Sequence, residues 1–75
     1  MPQFYITNES TEDTLDSTDS LQDAVRLARE AAKQGQVGEP VSILESEGRA
    51  IRQFVLMADG TVAEHAITHQ AKRSA

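Results

Sequence analysis

Residues 20–35, with the sequence SLQDAVRLAREAAKQG, carry the clearest secondary-structure signal of the chain. At about 100° per residue, one arc of a helix collects the apolar residues, while charged and amide side chains occupy the other side. Ser20 is a preferred N-cap with Asp23 three residues later, and Gly35 supplies a C-terminal stop. We therefore predict one amphipathic helix with a mostly alanine buried face, made of Leu21, Ala24, Val25, Leu27, Ala28, Ala31 and Ala32.

Short runs of apolar and β-branched residues on both sides of this helix predict strands. They are residues 3–7, 41–45, 50–57 and 61–67. Glu47-Gly48 and Asp59-Gly60 separate the later runs, and a glycine there supplies the positive φ that a hairpin turn needs. We therefore predict an α+β domain with the order β-α-β-β-β. One amphipathic helix lies on one face of a three- to four-stranded, mostly antiparallel sheet.

The first strand is expected at one edge of this sheet, parallel to its neighbour, after a right-handed helical crossover. Residues 8–19, between that strand and the helix, are almost all Asn, Ser, Thr, Asp and Glu, with Leu15 as their one apolar residue. This composition predicts an acidic loop. Residues 69–75 show no periodicity and predict a flexible tail, so we place a single domain at residues 1–68.

Composition excludes several classes of protein. The 75 residues include no cysteine, so disulfides and thiolate metal sites are impossible. Twelve acidic residues against seven basic ones give a net charge of −5, which argues against direct binding to a nucleic-acid backbone. No apolar run approaches a membrane span, and the first residues lack the pattern of a signal peptide. We expect a cytoplasmic protein without a cofactor or a membrane contact.

The predicted strand at residues 50–57 does not alternate between apolar and polar residues. Phe54 and Leu56 point to one face, whereas Ile51, Val55 and Met57 point to the other. One helix covers one face of a sheet, and the solvated face of an antiparallel sheet is normally polar. The second apolar face therefore needs a cover, or it forms an exposed apolar patch.

Three explanations are open. A homodimer, stacked face to face or sharing an edge strand, would cover the patch, and two-fold assembly is common among small proteins. A β-bulge would re-phase the strand so that both apolar sets reach one core. A site for a different protein is the third. We favour the homodimer, with a candidate interface of Ile51, Phe54, Val55, Leu56 and Met57.

Candidate chemistry is sparse. Glu64, His65 and His69 form the one grouping that resembles a metal or acid–base site, but a strand spreads them apart and no third metal ligand is evident. The acidic residues of 8–19 lack the glycine and the spacing of a calcium loop. Arg49, Arg52, Lys72 and Arg73 are the basic residues outside the helix, and we interpret them as solvated. We therefore predict no catalytic, cofactor-binding or metal residue.

The helix phrase Asp23-Ala24-Val25, continued by residues 28–33, precedes Pro40-Val41-Ser42-Ile43 and the Asp59-Gly60 turn. This combination resembles small uncharacterised bacterial and phage domains built from a strand, an alanine-rich helix and a hairpin. The resemblance covers about two thirds of the chain and implies the same α+β class. Such domains have no assigned activity, so no functional residue carries over.

Three functions follow as hypotheses. The first is a non-enzymatic protein-interaction module that homodimerises through its sheet. The second is an acidic regulator related to nucleic acids, which imitates DNA and binds a basic partner. The third is an inter-subunit enzyme or metal site around His65 and His69, with Glu64.

Overall fold

The computed structural model describes residues 3–67, which fold as one antiparallel sheet with one helix on it. The elements are β1 (Phe4–Asn8), β2 (Asp13–Thr18), α1 (Leu21–Gln34), β3 (Pro40–Glu45), β4 (Ala50–Leu56) and β5 (Val62–Ala66). The sheet has five strands in the order β2-β1-β3-β4-β5, and all neighbours are antiparallel. The predicted α+β class is confirmed, with five strands instead of three to four. The predicted tail at residues 69–75 lies outside the described residues.

Two expectations about the first third of the chain are wrong. Residues 8–19 are not a single acidic loop, because β2 occupies half of them and pairs with β1 at the edge of the sheet. β1 is neither an edge strand nor parallel to its neighbour, because it lies between β2 and β3 and pairs antiparallel with both. The second error follows from the first: the extra strand reverses the chain once more before the helix returns it to the sheet.

Helix α1 forms where the sequence predicts it. The Ser20 side chain accepts a hydrogen bond from the Asp23 N–H at 3.3 Å, and the Gly35 N–H donates to the Ala32 carbonyl at 3.1 Å. Asp23 in the first turn and Lys33 in the last turn both complement the helix dipole. The caps therefore fix both ends of the helix, and the apolar arc between them faces the sheet.

The core lies between α1 and the middle of the sheet. The helix contributes three alanines, and β1, β3 and β4 contribute larger apolar side chains. The fully buried apolar residues are Ile6, Ala24, Ala28, Ala32, Val41, Ile43 and Phe54. Because alanine is so short, the helix approaches the sheet closely over β1, β3 and β4. Among residues 3–67, no helix is long and apolar enough to span a membrane.

A β-bulge in β4 explains part of the two-sided apolar pattern. Ile43 pairs with Arg52 while Leu44 pairs with Ala50, so Ile51 is an extra residue in the ladder. Ile51 packs against the core cluster instead of pointing away from it. Of the three explanations proposed from the sequence, the bulge is therefore observed, and it accounts for Ile51 but not for Val55.

Candidate functional site

The sheet has one face under α1 and one face that no element among residues 3–67 covers. Cross-strand partners point to the same face, so the register assigns every strand residue to a side. We call the second side the uncovered face. Its strand residues are Tyr5, Thr7, Thr14, Ser17, Pro40, Ser42, Leu44, Ala50, Gln53, Val55, Ala63 and His65.

The uncovered face contains no Asp, Glu, Lys or Arg among its strand residues. The charged strand residues all lie on the helix side, since each is in register with a core residue or a residue packed on the core, directly or, for Asp13, through Asn8 and Val41. These residues are Asp13, Asp16, Glu45, Arg52 and Glu64. This distribution is the reverse of a solvated sheet face, where charged side chains are expected. The centres of protein–protein interfaces show the same depletion of charge.

The side chains of the uncovered face form three rows across the strands. The central row is polar and crosses all five strands, in the order Thr14, Thr7, Ser42, Gln53 and His65. An apolar row lies on either side of it, centred on Leu44 and on Val55. The partners of these two residues in their rows are Tyr5, Ala50, Pro40 and Ala63. The strand residues of this face are therefore amphipathic and carry no Asp, Glu, Lys or Arg.

The centre of this face is closed to water by its own neighbours. Ser42 is fully buried although no helix or strand of residues 3–67 packs over it. Its hydroxyl donates to the Glu9 carboxylate, which reaches in from just beyond β1. The hydroxyl of Thr7, the partner of Ser42 in the register, is buried without a hydrogen-bond partner among the described residues. Glu9 is not a strand residue, but its carboxylate therefore lies against the central residue of the central row.

The five residues of the predicted interface do not share one surface. Val55 lies on the uncovered face and is half-buried, and Met57 follows β4 with 44% of its surface exposed. Phe54 is fully buried beneath the helix, and Ile51 packs on the same core. Leu56 pairs with Val62 on the helix side. The structure therefore removes Phe54 from any contact surface and leaves Val55 as the central residue of the group.

Sequence reasoning missed Tyr5, Leu44 and Gln53 as parts of this face. A signal for Leu44 and Gln53 exists within their own strands, because Glu45 and Arg52 mark the alternate residues as the charged side, whereas β1 has no charged residue that could mark Tyr5. In β4, for example, Arg52 marks one side, so Gln53 and Val55 belong to the other. The bulge at Ile51 obscures this pattern at the start of the strand.

The structure separates the residues of the suggested metal or acid–base site. Glu64 faces the helix side, where its carboxylate oxygens contact Arg29 at 2.6 Å and Arg52 at 2.8 Å. His65 follows it in the strand and points to the uncovered face. His69 lies outside the described residues. Within residues 3–67, no group of three potential ligands is placed to hold a metal ion.

Arg49 and the two aspartates of β2 are further charged residues of the sheet and its turns. Arg49 forms ion pairs with Glu45 at 3.2 Å and with Glu47 at 3.7 Å, while Lys72 and Arg73 lie outside the described residues. The acidic side chains of Asp13 and Asp16 follow the outermost strand, β2. An acidic edge of this kind is compatible with the imitation of DNA, and that hypothesis stays a prediction.

Comparison with known proteins adds no relative. No family model matches this chain, and neither a curated protein nor a solved structure is significantly similar to it. The resemblance to small bacterial and phage domains therefore stays a prediction, and the uncovered face is the feature from which a function can be inferred.

Proposed function

We propose that this chain is a non-enzymatic protein-interaction module that homodimerises by stacking the uncovered faces of two sheets. The observation that carries the proposal is the absence of Asp, Glu, Lys and Arg from the strand residues of that face. The chain has twelve acidic and seven basic residues, so an uncharged face of five strands is a marked exception within its surface.

Charge explains why this face suits a second copy of the same chain. Two molecules with a net charge of −5 repel each other, and the repulsion is smallest where the strand residues are uncharged and the nearby Glu9 carboxylate is held by the Ser42 hydroxyl. Two sheets that stack face to face interdigitate their side chains at a separation of about 10 Å. The rows centred on Leu44 and Val55 supply the apolar area, and the polar row between them supplies hydrogen-bonding groups.

The size of the face sets the expected strength of the dimer. Five strands about 4.8 Å apart, each about 20 Å long, give a face of about 500 Å². Two such faces bury about 1,000 Å² in total, near the lower limit for a specific interface. We therefore expect a dissociation constant in the micromolar range and a dimer in exchange with its monomer.

The test compares the same substitution at two valines. Val55→Asp places a charge in the centre of the stacked faces, whereas Val37→Asp places it in the loop after α1, where Val37 is 60% exposed. We expect the wild type and Val37→Asp to be dimers in the upper micromolar range by analytical ultracentrifugation. We expect Val55→Asp to be a folded monomer, as judged by circular dichroism.

Val55→Thr keeps the shape of the side chain, and we expect it to weaken the dimer without unfolding the protein, which covers the case in which aspartate disrupts β4. A wild-type monomer across the whole micromolar range would contradict the proposal, and so would an unchanged dimer in both Val55 variants.

The absence of cysteine supports a reducing compartment. We accordingly propose the cytoplasm as the place of action, with no cofactor required.

A further inference from the structure

The two edge strands of the sheet differ in how they are protected against pairing. Two features of the β2 edge hinder the pairing of a further strand. Leu15 is an extra residue at a bulge, and the Ser17 N–H donates to the Asp16 side chain at 2.8 Å. Bulges, charged side chains and occupied donors are the devices by which proteins prevent the addition of another strand. We therefore expect no further strand to pair with β2.

Within residues 3–67, the β5 edge has no bulge and no backbone N–H bonded to a side chain, and its one charged strand residue, Glu64, turns to the helix side and pairs with Arg29 and Arg52. Its register with β4 runs without a shift. The Thr61 carbonyl accepts from the Met57 N–H at 2.7 Å, and the Ile67 N–H donates to the Ile51 carbonyl at 2.9 Å. The backbone N–H and C=O groups of the odd-numbered residues along β5 therefore point towards β4. Backbone groups alternate in direction along a strand, which turns those of Val62, Glu64 and Ala66 outward.

A cationic cleft borders this edge on the helix side. It is an open space of about 480 Å³ whose charged lining residues are Arg29, Lys33 and Glu64, so its cations outnumber its carboxylate by one. The Arg29 guanidinium contacts Glu64 at 2.6 Å and lies over the Phe54 ring at 5.8 Å, so it is held in place. Lys33 has no ion-pair partner among residues 3–67. Arg29 and Glu64 neutralise each other, so the cleft offers the unpaired cation of Lys33 beside a row of outward backbone groups.

We propose that the outer edge of β5 accepts an extended acidic segment of another protein as a sixth strand. Its backbone bonds to the outward groups of Val62, Glu64 and Ala66, which supplies affinity, as in other cases of strand addition. An acidic side chain of that segment enters the cleft and contacts Lys33, which supplies specificity. Because the uncovered face is a different surface, this contact is independent of the proposed homodimer and leaves it intact.

Charge favours this occupant over a second copy of the chain. Pairing of β5 with β5 would bring the Arg29 and Lys33 side chains of both copies towards one seam. Pairing of β5 with the β2 edge of another copy meets the bulge at Leu15 and the occupied Ser17 N–H. An acidic strand from a different protein brings no second set of cations to the seam and has no bulge or occupied N–H of this kind.

The experiment is a titration of the isotope-labelled full chain, followed through its backbone amide signals. The probe is a short capped peptide in which glutamate alternates with threonine, and its control is the peptide with lysine in place of glutamate. We expect saturable shifts at Val62, Glu64 and Ala66 that exceed those at Ala63 and His65. We expect Lys33→Glu to weaken binding about fivefold or more, and the lysine peptide to bind more weakly than the glutamate peptide.

A matched pair of proline variants tests the edge itself. Ala66→Pro removes an outward N–H and keeps the bonds to β4, so we expect it to abolish the shifts. Ser17→Pro makes the same change at an N–H outside the β1–β2 ladder, and binding should persist. Shifts confined to β2, equal affinity for the lysine peptide, or no saturable shift would overturn the proposal. Shifts at Val62 and Ala66 that depend on protein concentration alone would assign the edge to a second copy and overturn it as well.

Discussion

At the scale of single residues, the alanines of α1 set the distance between helix and sheet. Ala24, Ala28 and Ala32 are at most 1% exposed, and they contact a sheet whose own side chains are large. A longer side chain at these positions has no space unless the helix moves outward. The alanines are therefore a requirement of packing, in addition to their high helix propensity.

Ala28→Leu should destabilise the protein by about 1–3 kcal/mol, because the added atoms overpack the contact between α1 and the sheet. Ala31→Leu is the matched control on the same helix. Ala31 borders an open groove of about 190 Å³, together with Ile6, Leu15 and Leu27, so the longer side chain has room and should be neutral or stabilising. Urea unfolding measures both values, and equal effects of the two substitutions would show that the contact at Ala28 is not tight.

At the scale of elements, the Asp59 carboxylate stabilises the turn between β4 and β5 by accepting hydrogen bonds. Gly60 has a φ of +91°, and its N–H donates to the Met57 carbonyl at 3.0 Å. The Asp59 carboxylate accepts from the Thr61 hydroxyl at 2.7 Å and from the Thr61 N–H at 3.0 Å. These bonds, the hydroxyl first, lower the pKa of Asp59 below its ordinary value of 3.8.

The lowered pKa of Asp59 predicts how the turn responds to acid. Between the lowered pKa and 3.8, the folded state binds fewer protons at this site than the unfolded state, so stability rises with pH. The stabilisation is fully present above the ordinary value and is lost as the pH falls through the lowered one. Thr61→Val removes the hydroxyl donor and should move the pKa of Asp59 back towards 3.8. Carboxyl chemical shifts measured against pH test this, and an unchanged pKa in that variant would refute the assigned cause.

Elements whose signals are local could be predicted from the sequence, and α1 with its Ser20 cap is the clearest case. Strand β2 could not be predicted, because it lies at an edge and nearly all of its residues are exposed. Without a buried face, its sequence does not alternate between apolar and polar residues. The direction of β1 depended on β2 and was therefore wrong as well. For the candidate site, Val55 was predicted, but the burial of Phe54 and the bulge at Ile51 depend on cross-strand register, which a single strand does not show.

At the scale of the whole molecule, charge is divided between the two sides of the sheet. The helix side carries the charged strand residues, and there Glu64 joins Arg29 of the helix to Arg52 of β4. The three side chains are between 30% and 52% exposed, so their pairing contributes modestly to stability. The more important consequence of these ion pairs is that they hold the three charged side chains on the helix side, away from the uncovered face.

If the uncovered faces of two copies associate, folding and association are coupled, and thermal stability depends on protein concentration. For two chains of 75 residues, the unfolding enthalpy is about 100 kcal/mol. The unfolding temperature should then rise by about 5 °C for each tenfold increase in concentration above the dissociation constant. The unfolding temperature of Val37→Asp should rise with concentration as that of the wild type does. The unfolding temperature of Val55→Asp should not depend on concentration, because this variant unfolds as a monomer. Scanning calorimetry over the micromolar to millimolar range measures this slope, and one temperature at all wild-type concentrations would mean that the uncovered face does not bind its copy.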